Sequence, residues 1–193
     1  MPSPAQPDFE AGRVYRTSDL ARWGANPTRL AKRLVHEGQL RQLRHGLFYS
    51  PKKSRFGDVP PDDAAILRAF LGDDDFLFTG PPRWNALGLG STAAFAVSLV
   101  YNTKRSAEYK FGGRRFQLRR VRFPRPAPPE WFALDLIEHR DMAGISLADV
   151  AAGLTRALVE GRLDRETMLT MAREYGTKAS VKFVEQCAAA QVK

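Results

Sequence analysis

Pro27-Thr28-Arg29-Leu30-Ala31-Lys32-Arg33-Leu34-Val35-His36-Glu37 is the stretch on which the reading of this chain turns. Arg29, Lys32, Arg33 and His36 recur at i, i+3, i+4 and i+7, so a helix would carry all four basic side chains along one stripe. Leu30, Ala31, Leu34 and Val35 make the opposing apolar stripe. Asn26 is placed to cap the helix, Pro27 suits its first position, and Gly38 suits the residue that ends it. A solvated helix face usually mixes charge signs to gain i,i+4 pairs, yet no acid follows until Glu37. A short helix that is apolar behind and cationic in front fits a DNA major groove, and it reads as the recognition helix of a helix-turn-helix.

The flanking sequence supports that assignment. Ser18 is a candidate cap for a short helix through Trp23, with Asp19 in its first turn and Gly24-Ala25 as the tight connection. Downstream, Leu40-Arg41-Gln42-Leu43-Arg44-His45-Gly46-Leu47-Phe48-Tyr49 places strand-forming residues on both sides of His45-Gly46, a hairpin signal. A hairpin after a recognition helix predicts a winged helix over residues 9–55. Thr28 and Arg29 would meet base edges, Arg29 gripping a guanine at two points. Lys32, Arg33 and His36 would reach bases or phosphates. Arg41, Arg44 and His45 on the wing, with Lys52 beyond it, would meet phosphates.

Charge distribution points the same way. The 193 residues carry a net +9. Residues 1–60 hold +6 of it and residues 104–125 hold +8, with mildly acidic stretches elsewhere. Two basic blocks of this kind call for a polyanion, and nucleic acid fits better than a membrane because no lipid-binding amphipathic segment accompanies them. Lys104, Arg105, Lys110, Arg114, Arg115 and Arg119 form a candidate second basic surface. The one cysteine, Cys187, excludes an internal disulfide and is expected in the core. No secretory signal or membrane-spanning run is visible, so a cytoplasmic setting is expected.

Residues 60–193 read as a mixed α/β domain with a helical end, which makes the whole chain α+β. Helices are predicted from Asp62 to Leu71 and from Gly80 to Leu87. Strands are predicted over 76–79 and 94–101, and a hairpin around Gly112-Gly113. Ser146, Asp164 and Thr177 open three terminal helices, and His139 is expected in a loop or at a helix end. Catalytic signals are weak. Glu108-Tyr109-Lys110, with Asp73 to Asp75 upstream, has the acid–lysine pattern of a metal-dependent nuclease, but such triplets are common by chance. The three histidines are too dispersed for a metal site, and no cofactor is implied.

Three stretches together resemble the AbiEi-type antitoxins of type IV toxin–antitoxin systems. They are Val14-Tyr15-Arg16-Thr17-Ser18-Asp19-Leu20, the Leu-x-x-Leu-x-x-Gly-Leu-Phe-Tyr pattern of 40–49, and Thr79-Gly80 leading to Ala86-Leu87-Gly88-Leu89. Tyr101-Asn102 before a basic hairpin adds to the likeness, which spans residues 9–145. The resemblance implies a winged helix that represses its own operon by binding inverted repeats in double-stranded DNA. It implies a C-terminal domain that neutralises a nucleotidyltransferase toxin functionally, without a stable complex. Two copies on a palindrome are then expected. The rival readings are a nuclease-like DNA-processing protein and a protein-interaction module that binds no DNA.

Overall fold

Tyr15, Leu20, Leu30, Ala31, Leu34, Leu40 and Phe48 close one small core, with Phe9, Trp23 and Val35 packed at its edge. Their spacing draws four consecutive elements together. These are strand β1 (Val14–Arg16), a 3-10 helix (Thr17–Trp23), helix α1 (Pro27–His36) and the hairpin of β2 (Arg41–Arg44) with β3 (Leu47–Tyr49). The computed structural model describes residues 7–89 and 97–189.

α1 forms where its sequence says it should. The Asn26 side chain accepts from the Arg29 N–H at 3.0 Å, Pro27 occupies the first turn, and Gly38 takes a φ of +73° just beyond the end. The element before it differs from expectation. It is a 3-10 helix, and Asp19 rather than Ser18 secures its start by accepting from the Arg16 N–H at 2.7 Å. β1 pairs antiparallel with β3, giving the order β1-β3-β2. Three residues are too few to show alternation, so this strand left no trace in the sequence pattern.

The chain divides into two compact units. The first runs through Phe76 and also includes Tyr109–Arg115. It therefore takes in a second hairpin, β4 (Lys52–Ser54) with β5 (Gly57–Val59), and helix α2 (Asp63–Leu71). Asp62 caps α2 by accepting from the Ala65 N–H at 2.7 Å. Arg16 of β1 donates from Nε to the Ala69 carbonyl in the last turn of α2. That bond ties α2 to the N-terminal sheet, and the unit reaches past the expected 9–55 span.

The second unit comprises residues 77–108 and 116–193. Strands β6 (Phe76–Thr79), β7 (Val97–Asn102), β8 (Ala107–Phe111) and β9 (Arg114–Arg120) lie in the order β6-β7-β9-β8. Residues 94–96 of the strand expected over 94–101 fall outside the described residues. Helices α3 (Pro81–Ala86), α4 (Pro129–Ala143), α5 (Leu147–Val159), α6 (Arg165–Tyr175) and α7 (Lys178–Ala189) complete the chain, a mixed α/β architecture. Trp84, Leu134, Leu136, Leu154, Met168, Val184 and Cys187 share the helical core.

α4 is the element that sequence periodicity could not find. Every residue from Glu130 to Ile137 is buried, the charged Glu130 and Asp135 among them, so these turns are covered on all sides and show no apolar stripe. His139 lies at a kink where φ is −124° and two helical segments meet, which agrees with the expected helix-end position. The last three helices carry the caps their sequence specifies. Ser146 accepts from Asp149 N–H at 3.1 Å, Asp164 from Thr167 at 2.8 Å, and Thr177 from Ser180 at 3.2 Å. Among the described residues no helix is long and apolar enough to cross a membrane.

Candidate nucleic-acid interface

Leu30, Ala31 and Leu34 are buried against the N-terminal core, which fixes how α1 is rotated. Burial of each leucine contributes roughly 1.5–3 kcal/mol, so this rotation is strongly held. Thr28, Arg29, Lys32, Arg33 and His36 are all exposed as a result. Arg33 makes only a long contact with Glu37, 3.8 Å, and 64% of its side chain is open.

Two grooves flank this stripe. One, of about 400 Å³, is lined by Thr28, Lys32 and Val35 of α1, by Gln42 of β2, and by His45-Gly46 at the hairpin turn. It brings the exposed helix face and the hairpin together on one concave surface. The other, of about 380 Å³, lies between Arg29 and Arg33 on α1 and the Trp23-Gly24 connection. Gln42 was not among the residues the sequence singled out. Its place one residue before the apolar Leu43, which is buried, is the signal that could have found it.

Three of the expected cations have other occupations. Arg44 does not lie open on the hairpin. Its guanidinium sits over the rings of Phe70 (5.1 Å), Tyr109 (5.0 Å) and Phe111 (5.5 Å), all within the first unit. One guanidinium nitrogen, Nη1, is buried without a hydrogen-bond partner. The cause is an irregularity in the β2–β3 register between Gln42 and Arg44, which breaks the alternation of faces and turns the side chain inward. Arg114 binds Asp63 at 2.5 Å and the Pro61 carbonyl at 2.8 Å, securing the start of α2 instead of joining a basic surface. Arg41 stays half-open but reaches Asp58 at 3.2 Å. Lys52 is exposed on β4.

The rest of the second basic block is divided between the units. Lys110 and Arg115 are exposed and belong with the first unit. Lys104 and Arg105 lie in the β7–β8 connection of the second. There the buried Asn102 carboxamide accepts from both their backbone N–H groups, at 2.9 and 2.8 Å. Arg119 is half-buried, with Nη2 3.9 Å from the Met142 sulfur.

A separate polar cluster is buried in the second unit. Asp135 of α4 accepts from Tyr101 OH at 2.7 Å, from Trp84 Nε1 at 3.0 Å and from Thr79 Oγ1. His139 Nδ1 lies 3.1 Å from the same carboxylate and 3.0 Å from the Asp135 carbonyl, so that nitrogen is the donor. The hydrogen bond from His139 to Asp135 holds the imidazole pKa above its ordinary value, against the opposing effect of burial. Burial, with Asp135 alongside, pushes the Tyr101 hydroxyl far up, so it stays protonated. Each partner spends its proton on Asp135, which makes the cluster a brace between α3, α4, β6 and β7. Glu108 is exposed on β8, and among the described residues no group of His, Cys, Asp or Glu could hold a metal ion.

No family model matches the chain, and no curated protein matches it. Among solved structures it is similar to the crystal structure of the RV2827C protein from Mycobacterium tuberculosis. The two share 14% identity and a TM-score of 0.58 over 94% of this chain and 73% of that one. At that identity the likeness concerns the fold alone.

Proposed function

We propose that this protein is a sequence-specific binder of double-stranded DNA, acting as a transcriptional repressor through a winged helix in its first unit. The observation that carries the reading is the groove where Thr28 and Lys32 of α1 meet Gln42 and His45 of the β2–β3 hairpin. Helix and wing thereby present donors to one concave surface while Leu30, Ala31 and Leu34 anchor the helix from behind. α1 enters the major groove with Thr28 and Arg29 leading, and the hairpin lies along the backbone. Arg29, Lys32, Arg33 and Lys52 supply the positive charge, while Arg41 is paired with Asp58. Arg44 and Arg114 do not contribute.

The order of elements, β1 through β3, is also the order in which the sequence resembles AbiEi-type antitoxins. On that resemblance the chain represses its own operon and counters a nucleotidyltransferase toxin, from a cytoplasmic location. Fluorescence anisotropy with a duplex taken from upstream of the gene tests the DNA reading. The double substitution R29A/R33A is expected to lower affinity at least tenfold at fixed salt and to flatten the preference over an unrelated duplex. Unchanged affinity and preference would remove α1 from the interface. Co-expression with a neighbouring nucleotidyltransferase gene, scored by growth, tests the antitoxin reading separately.

A further inference from the structure

The second hairpin, β4–β5, projects an aromatic ring among cations. Lys52 pairs with Val59, Lys53 with Asp58 and Ser54 with Gly57, leaving Arg55-Phe56 as the turn. Ser54 Oγ donates to the Gly57 carbonyl at 2.8 Å and accepts from the Phe56 N–H at 3.2 Å, which fixes the tip. Phe56 is 87% exposed, with the Arg55 guanidinium 4.9 Å from its ring centre. The hairpin's one acid, Asp58, is cancelled by Lys53 at 2.7 Å and Arg41 at 3.2 Å, and the Arg41 contact joins the hairpin to the edge strand β2.

An isolated two-stranded ribbon is marginal in water, and a phenyl ring held at its tip adds a hydration cost. Lys52, Lys53 and Arg55 surround this ring, an arrangement that matches phosphates on both sides of a groove. Proteins that bend DNA from the minor groove combine these two features, an apolar wedge between base steps and cations beside it. Three-residue strands give the ribbon a reach of about 10 Å, enough to carry a side chain to the groove floor. We propose that the Lys52–Val59 hairpin is a second DNA-contacting arm that inserts Phe56 into the minor groove and bends the duplex. This rests on the reading of α1 as the major-groove helix.

The experiment uses the full chain and an upstream duplex with a fluorophore at each end and 2-aminopurine at successive steps. The wild type raises end-to-end energy transfer and brightens 2-aminopurine at one unstacked step. F56A, on an exposed tip, keeps the circular dichroism spectrum, the salt dependence and the sequence preference. It loses the bend and the unstacking signal, and about tenfold in affinity. F56W retains all three. An F56A protein that bends and binds like the wild type overturns the arm while leaving the α1 reading intact. A wild type that binds no duplex overturns both. Loss of self-association in F56A with DNA bending unchanged assigns the ring to a second copy of the chain and overturns the arm.

Discussion

Arg33 and Arg44 carry the same charge and meet opposite environments. Arg33 stands on α1 with 64% of its side chain open, while Arg44 is stacked over three aromatic rings. Partly desolvated cation–π contacts contribute roughly 0.5–2 kcal/mol each, so Arg44 is a stabilising residue of the first unit. Arg44→Ala is therefore expected to cost about 1–3 kcal/mol and lower the thermal midpoint by several degrees. The slope of log affinity against log salt should not move, because no phosphate contact is lost. Lys32→Ala should do the reverse, leaving the midpoint in place and making the slope shallower by about 0.9. Calorimetry and salt titration on the two variants separate the roles, and a changed slope in Arg44→Ala would return that residue to the interface. The sequence could not tell these residues apart. Arg44 is recognisable only once Phe70, Tyr109 and Phe111, distant along the chain, are known to gather around it.

At the level of elements, α1 and α4 mark the two ends of what a sequence pattern reveals. α1 is half-buried, so its apolar and basic residues alternate at the helical period and its caps lie where the pattern begins and ends. α4 is surrounded by protein, and burial on all sides erases the period. Asp135 helps to fix α4, its carboxylate receiving Tyr101, Trp84, Thr79 and His139, alongside Glu130 and Glu138, which accept from the backbone of Asp164 and Thr177. The folded chain holds the His139 imidazole above its ordinary pKa of 6.5, so it binds the proton more tightly than the unfolded chain does. This stabilisation is complete below pH 6.5 and declines as pH rises through the folded value, by at most about 1.4 kcal/mol per pH unit. Thermal unfolding followed between pH 6 and 9 should show the second unit losing stability as pH rises. His139→Gln should flatten that dependence, and a profile unchanged by the substitution would detach His139 from the brace.

For the whole molecule, charge and symmetry set the expectations. A reader built on one short helix covers few base pairs, so two copies on an inverted repeat, with half-sites about 34 Å or a multiple apart, follow from the proposed function. About four exposed cations per copy give a log–log salt slope near −3.6 per protomer bound. Sedimentation of the protein with an upstream duplex should give two chains per duplex. One chain per duplex, or a slope near zero, would count against binding as a paired reader.

Local order was written in the residues themselves. The caps of α1, α2 and the last three helices, the His45-Gly46 and Gly112-Gly113 turns, and the basic stripe all depend on neighbours within a few positions, and such interactions are encoded by spacing. Which cations are open to a ligand, where the first unit ends, and what holds α4 depended on contacts between residues far apart in the chain. Arg16 to Ala69, Arg114 to Asp63 and Tyr101 to Asp135 are pairings of that kind. A charge has the same letter whether it faces water or three aromatic rings, and only the folded chain decides which.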